Sequence, residues 1–263
     1  MNRAHSRLPN WLLAPALIAA VLFLLPLLAL LTEAPWRDLL PLLTSNETLQ
    51  ALALSVRCSL IAALLCLLLG LPLATWLAHG NGLLHTSVRV LVTLPMVLPP
   101  IVGGLALLKA FGGNGLLGGA LVDWFGLDIP FTTSAVVLAT TYVAMPFFVL
   151  TVEGGLRTFD RRYTEAAATL GAGPWRSFCT VTLPLVQPTL RAGLLLAWAR
   201  ALGEFGATIT FAGSFAGRTR TLPIAVHHAL DTNPPAAVAL SLVLLLVSAL
   251  VLFLLRHRWF PSR

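Results

Sequence analysis

Charge is what this sequence has least of. Only 10% of its 263 residues are Asp, Glu, Lys or Arg, against roughly a quarter in soluble domains. Hydrophobic residues make up 57% and the mean hydropathy is +0.87, more apolar surface than a water-soluble sphere can hide. The same figures exclude intrinsic disorder, which needs a shortage of apolar residues. Cysteine is scarce too. Cys58, Cys66 and Cys179 make no disulfide framework and read as buried or reduced thiols. No segment alternates polar and apolar residues over the about ten positions of a barrel strand. There is no P-loop, G-x-S-x-G or H-E-x-x-H, so the chain shows no catalytic, cofactor or metal set, and any ATP it depends on is hydrolysed by another chain.

What is present is a series of long apolar runs. A bilayer core about 30 Å thick needs roughly 20 apolar residues of helix. Six stretches qualify: Trp11–Leu31, Cys58–Ala78, Val90–Leu108, Ser134–Val152, Ala192–Ala212 and Pro235–Leu255. Only the fifth carries charge, Arg200 and Glu204. The first run has 21 residues, longer than the about 7–15 of a signal core, and is expected to stay as a span. The expected fold is an all-α, multi-pass integral membrane protein with six transmembrane helices.

The net charge of +7 reports topology rather than nucleic-acid binding. With the N-terminus inside, segments 1–10, 79–89, 153–191 and 256–263 hold eleven basic residues and the external segments hold five. The acids lean the other way, six outside and three inside. Both termini are therefore expected in the cytoplasm. Two letter patterns mislead. Gly113-Asn114-Gly115-Leu116-Leu117-Gly118 spells G-x-G-x-x-G but lies between membrane helices, without the βαβ unit that a dinucleotide site requires. His227-His228 with Asp231 lacks a second cluster to complete a coordination shell and reads as a solvated loop.

Leu94-Pro95-Met96-Val97-Leu98-Pro99-Pro100 interrupts the third run, with Gly103-Gly104 behind it, and Pro146 sits in the fourth. Such breaks are tolerated where neighbouring helices or a cavity satisfy the freed carbonyls. They suit helices packed around a pathway. No internal repeat argues for an inverted-repeat transporter.

The segment 153–191 is the longest internal one. Asp160 to Leu170 reads as a short helix ended by Gly171. Gly173-Pro174 opens a second, with Trp175, Phe178, Val181 and Leu185 on one apolar face. Two such helices fit docking into another protein, or lying on the anionic inner leaflet.

Glu165-Ala166-Ala167, Gly171 and Val181-x-Leu183-Pro184 resemble the EAA motif of ABC importer permeases, E-A-A-x3-G-x9-I-x-L-P, with Val181 for Ile as the one departure. The resemblance implies the type I importer permease fold and a coupling loop seated in a cleft of the ATP-binding subunit. Glu165, Ala166, Ala167, Gly171, Leu183 and Pro184 would form that docking loop. Leu94 to Gly104, Asp123-Trp124-Phe125-Gly126 and Arg200 to Gly213 are similar to the molybdate permeases. Sulfate/thiosulfate permeases share the Arg-x-Leu-Gly-Glu-Phe-Gly-Ala core. The resemblance covers about 54–255, giving an expected transmembrane domain there, with 1–53 as an N-terminal tail, first helix and external loop, and 256–263 as a cytoplasmic tail.

By resemblance, the partners would be a second permease copy, two ATP-binding cassette subunits that bind ATP and Mg, and an external solute-binding protein. Arg200 and Glu204 are four apart and can pair on one helix face. With Thr208, Pro99 and Pro100 they are the candidates for a translocation path, since an ionisable residue in a membrane helix is costly unless paired or facing water. The pair can equally serve to lock packing. Moving a dianion inward against 100 mV costs about 4.6 kcal/mol, which argues for ATP-driven import over a passive pore. Molybdate is the expected substrate, with sulfate/thiosulfate or tungstate as rivals. Secondary transport and intramembrane catalysis are the alternatives from other classes.

Overall fold

The computed structural model describes residues 10–259, and among them every regular element is helical. Arg3, Arg7 and Arg263, which contribute to the expected inside placement of the termini, lie outside the described residues. The helices are α1 (Leu13–Thr32), α2 (Leu39–Thr44), α3 (Asn46–His79), α4 (Leu83–Val97), α5 (Pro100–Phe111), α6 (Gly118–Phe125) and α7 (Thr133–Arg157). They continue as α8 (Arg162–Thr169), α9 (Pro174–Ser177), α10 (Leu183–Leu202), α11 (Gly206–Ala212), α12 (Leu222–Thr232) and α13 (Pro234–Trp259).

Among the described residues, four stretches are long and apolar enough to cross a bilayer: Leu13–Thr32, Asn46–His79, Thr133–Arg157 and Pro174–Leu202. The pair α4 and α5 makes a fifth if taken as one span, and α13 is apolar over Pro234–Leu250. The core is a packet of α3, α7 and α10, with α5 and α11 against one end. Its interior is built from small residues, Ala62, Cys66, Ala74, Ala139, Ala144 and Ala197, which let helix backbones approach where lipid supplies no hydrophobic drive. Phe148 fills the remaining space, fully buried. Two polar clips add to this: within the packet Trp198 Nε1 on α10 donates to Ser59 Oγ on α3 at 3.0 Å, and the Leu222 N–H at the start of α12 donates to Ser55 Oγ on α3 at 2.6 Å.

Three boundaries differ from the hydropathy reading. The third run is not one straight span, because α4 and α5 meet at 120°. Pro99 and Pro100 have no N–H to extend the ladder, and they push Leu98 to ψ 137° and Pro99 to ψ 133°. Pro100 then starts α5, where its fixed φ is favourable. The fifth run ends at Leu202, ten residues before the expected limit at Ala212, and resumes as the seven-residue α11. Segments taken as loops are also helical. With 34 residues α3 is about 51 Å long, so Arg57 lies on it rather than in an external loop, and Arg89 lies on α4. Hydropathy marks only the lipid-depth part of a helix and misses its polar ends.

Candidate functional site

The segment after α7 builds a short, firmly ended helix. Asp160 Oδ1 accepts from the Arg162 N–H at 3.0 Å at its start. At its end the Gly171 N–H donates to Ala168 O at 2.9 Å and the Ala172 N–H to Ala167 O at 3.0 Å. That is a Schellman closure, and it requires the left-handed backbone that Gly171 adopts, φ +83°. Glu165 and Ala166 are exposed on α8, Ala167 is half-buried, and nothing lies within 4 Å of a side chain built at Gly171. The surface is small, smooth and free to receive a partner.

The expected second short helix is instead the start of a long one. From Pro174 the chain runs through a π turn at Phe178–Thr182 directly into α10. The ladder widens just before Pro184, which has no N–H to continue it. Leu183 and Pro184 thus stand in the first turn of α10. The expected apolar face is divided. Trp175 stacks on Phe178 at 6.1 Å yet stays 77% exposed, and both line an apolar groove of about 840 Å3 with Pro72, Trp76 and His85. Between α8 and the π turn lies a smaller cavity of about 260 Å3, bounded by Phe159, Arg161, Thr164 and Thr182.

The second group of residues gathers at the break in the fifth run. Arg200 Nη2 meets Glu204 Oε2 at 2.7 Å. The other oxygen, Oε1, accepts from the Ala207 N–H at 2.8 Å. Glu204 is only 2% exposed and is held from both sides: it pairs with the last turn of α10 and caps the first turn of α11. The pair therefore bridges a break rather than one uninterrupted helix face. Thr208 follows on α11, fully buried, with no hydrogen-bond partner for its Oγ1. It lies beyond the break, on a different helix from Arg200. Pro100 is brought to the same place. A Cβ on Gly206 would come within 2.6 Å of Pro100 Cβ, and one on Gly104 within 2.7 Å of Ala207 O. The half-helices α5 and α11 are in backbone contact, with Pro99 exposed at the corner.

One cluster was not singled out from the sequence. Glu153, 4% exposed on α7, receives Arg89 Nη2 at 2.7 Å and Arg157 Nε at 2.9 Å, both on Oε1. The two guanidinium groups also donate to Leu77 O, Arg89 at 3.3 Å and Arg157 at 3.2 Å. Four positions on three helices meet there. The i, i+4 spacing of Glu153 and Arg157 was a signal in the sequence; the approach of Arg89 was not.

The family model described as "Binding-protein-dependent transport system inner membrane component" matches residues 67–258. The molybdenum transport system permease protein ModB of Mycobacterium tuberculosis is 48% identical over 244 residues, 93% of this chain and 92% of that protein. ModB of Escherichia coli (strain K12) is 39% identical over 214 residues, 80% of this chain and 92% of that one. The sulfate transport system permease protein CysT of the same strain is 34% identical, over 90% of this chain and 87% of its own. Among solved structures, a bacterial ABC transporter that imports the acidic polysaccharide alginate superposes with a TM-score of 0.73, at 16% identity, over 96% of this chain and 97% of that one. The MetNI methionine ABC transporter, inward facing, gives 0.61 at 17% identity, over 80% and 95%. The fold is that of an ABC importer permease, and the chain, a multi-pass membrane protein, belongs to the family of binding-protein-dependent transport system inner membrane components.

Proposed function

We propose that this chain is the permease subunit of an ATP-driven importer that moves molybdate across the cytoplasmic membrane by alternating access. The observation that carries this is 48% identity to a molybdenum permease over 93% of the chain, well above the 34% shared with the sulfate permease. In this reading α8 is the docking helix. Glu165, Ala166, Ala167 and Gly171 enter a cleft of an ATP-binding subunit, with Leu183 and Pro184 setting the first turn of α10 behind them. Two such subunits bind ATP and Mg; this chain supplies no cofactor site. An external solute-binding protein delivers the anion, and a second copy of the permease completes the path. Six passes with both termini inside agree with eleven basic residues on the assigned inner side against five on the outer.

The path is placed along the breaks. Pro99, Pro100, Arg200, Glu204 and Thr208 surround the contact of α5 with α11, and broken helices at membrane depth are tolerated where they line a cavity or are buried in protein. Arg200 brings positive potential to that region, partly exposed beside its buried carboxylate. Uptake of labelled molybdate at nanomolar concentration, in cells with and without this chain, tests the reading. Loss of uptake on deletion, with tungstate competing and excess sulfate not, is the expected result. Unchanged molybdate uptake with reduced sulfate accumulation would overturn the choice of anion.

A further inference from the structure

We infer that the Arg89–Glu153–Arg157 cluster is the joint that passes motion of the docking loop to the broken helix α4, so that Glu153 is a positioning residue for transport; this rests on the proposed importer function. Arg157 is the last residue of α7, and the docking helix begins at Arg162. Only four residues of connection separate them, Thr158 to Arg161. At the other side of the joint, Arg89 stands mid-way along α4, whose far end is the 120° corner at Leu98 and Pro99. Beyond that corner α5 is in backbone contact with α11 through Gly104 and Gly206. One carboxylate oxygen and one carbonyl, Leu77 O, hold both guanidinium groups.

The placement suits a transmitting joint. The Leu77 carbonyl belongs to the last turn of α3, where no intrahelical donor is available and a cation is favoured. Glu153 is buried while the two arginines keep part of their side chains in water, 29% and 40% exposed. A buried carboxylate bound to charged donors is strong and directional, whereas α4 otherwise packs on the shared core of α3, α7 and α10 through apolar side chains such as Val88 and Val92, which can slide. The charged joint is thus what fixes α4 to the end of α7. Three helices would move together when a partner pulls on α8.

The test uses the whole complex, permease with its ATP-binding subunits and solute-binding protein, in proteoliposomes. Glu153→Gln keeps shape and loses charge. Its expected effect is a drop of at least tenfold in molybdate taken up per ATP hydrolysed, with ATP hydrolysis itself within about twofold of wild type. Glu153→Asp keeps the carboxylate on α7 facing the two arginines and should hold the ratio to within about threefold of wild type, which Glu153→Gln does not. A second readout needs no substrate. Spin labels at Leu84→Cys on α4 and Thr158→Cys after α7, with Cys179→Ser, on one permease copy per complex (labelled chain diluted into unlabelled), should give one narrow distance through the nucleotide cycle, broadened by Glu153→Gln. A wild-type value for Glu153→Gln in either readout, or a Glu153→Asp variant no better than Glu153→Gln, overturns the inference. If the wild-type complex takes up no molybdate, the proposed substrate fails instead, and the label distances alone decide on the joint.

Discussion

Glu204 shows what a single buried side chain is asked to hold. Its two oxygens serve different helices, one paired with Arg200 and the other capping α11. The two contributions can be separated by substitution. Gln in its place can still accept from the Ala207 N–H but turns an amide toward Arg200. Losing one partner of a buried pair costs about 3 kcal/mol or more, and the partial exposure of Arg200 places this case at the low end. Glu204→Gln should therefore lower the unfolding temperature of the detergent-solubilised chain by on the order of 5 °C. Glu204→Ala removes the cap as well and should cost about 1 kcal/mol further. Equal midpoints for the two variants would show that the cap carries nothing. The pairing of Arg200 with Glu204 was legible from i, i+4 spacing, but the cap was not, because nothing in the letters places a helix break at Gly203 to Phe205.

At the scale of elements, proline and glycine did most of the punctuation that the sequence announces, and they did it unevenly. Pro99-Pro100 turns the chain by 120°, while Pro146 sits buried inside an α7 that continues through it. Two prolines in succession leave two gaps in the ladder and one leaves a single carbonyl to rearrange, so only the first becomes a corner. Glycine divides in the same way. At Gly104 an added methyl would meet the backbone of Ala207 at 2.7 Å, which cannot swing aside, so Gly104→Ala should cost about 1–3 kcal/mol by overpacking. At Gly154, inside α7, an added methyl meets nothing within 4 Å. There the same substitution should stabilise by roughly 0.5–1 kcal/mol through helix propensity. Thermal unfolding of both variants checks the opposite signs, and transport should fall only for Gly104→Ala. Sequence spacing marked the glycines after Pro99-Pro100 but could not name α11 as the surface they approach, since that contact spans about a hundred positions of the chain.

For the whole molecule, the division of labour between chains decides which surfaces must stay free. The chain shows no P-loop, and in the proposed importer energy enters through contact with an ATP-binding subunit at Glu165-Ala166-Ala167 and Gly171. Helix α8 is short, closed by its own glycine and largely exposed, so core packing does not fix its residues and the motif is legible from letters and spacing alone. Helix α3 was harder to read because its N-terminal turns are polar and its middle is apolar. A substitution on α8 should accordingly leave the fold alone. Glu165 is exposed and forms no side-chain hydrogen bond or ion pair among the described residues, so Glu165→Lys should change stability by no more than about 1 kcal/mol. In the first turn of α8 it also exchanges a carboxylate for a cation at the positive end of the helix, a local cost of about 0.3–1 kcal/mol spread over a short, solvated element. Its effect on assembly should be much larger. In the proposed docking, where a cleft of the ATP-binding subunit receives the Glu165 carboxylate, reversing the charge replaces attraction by repulsion, and like charges in contact cost several kcal/mol. The ATP-binding subunit should no longer co-purify with the variant, and uptake should fall at least tenfold while the unfolding temperature stays within about 2 °C. Wild-type uptake by Glu165→Lys would remove α8 from the docking surface, and a large loss of stability would return Glu165 to a structural role.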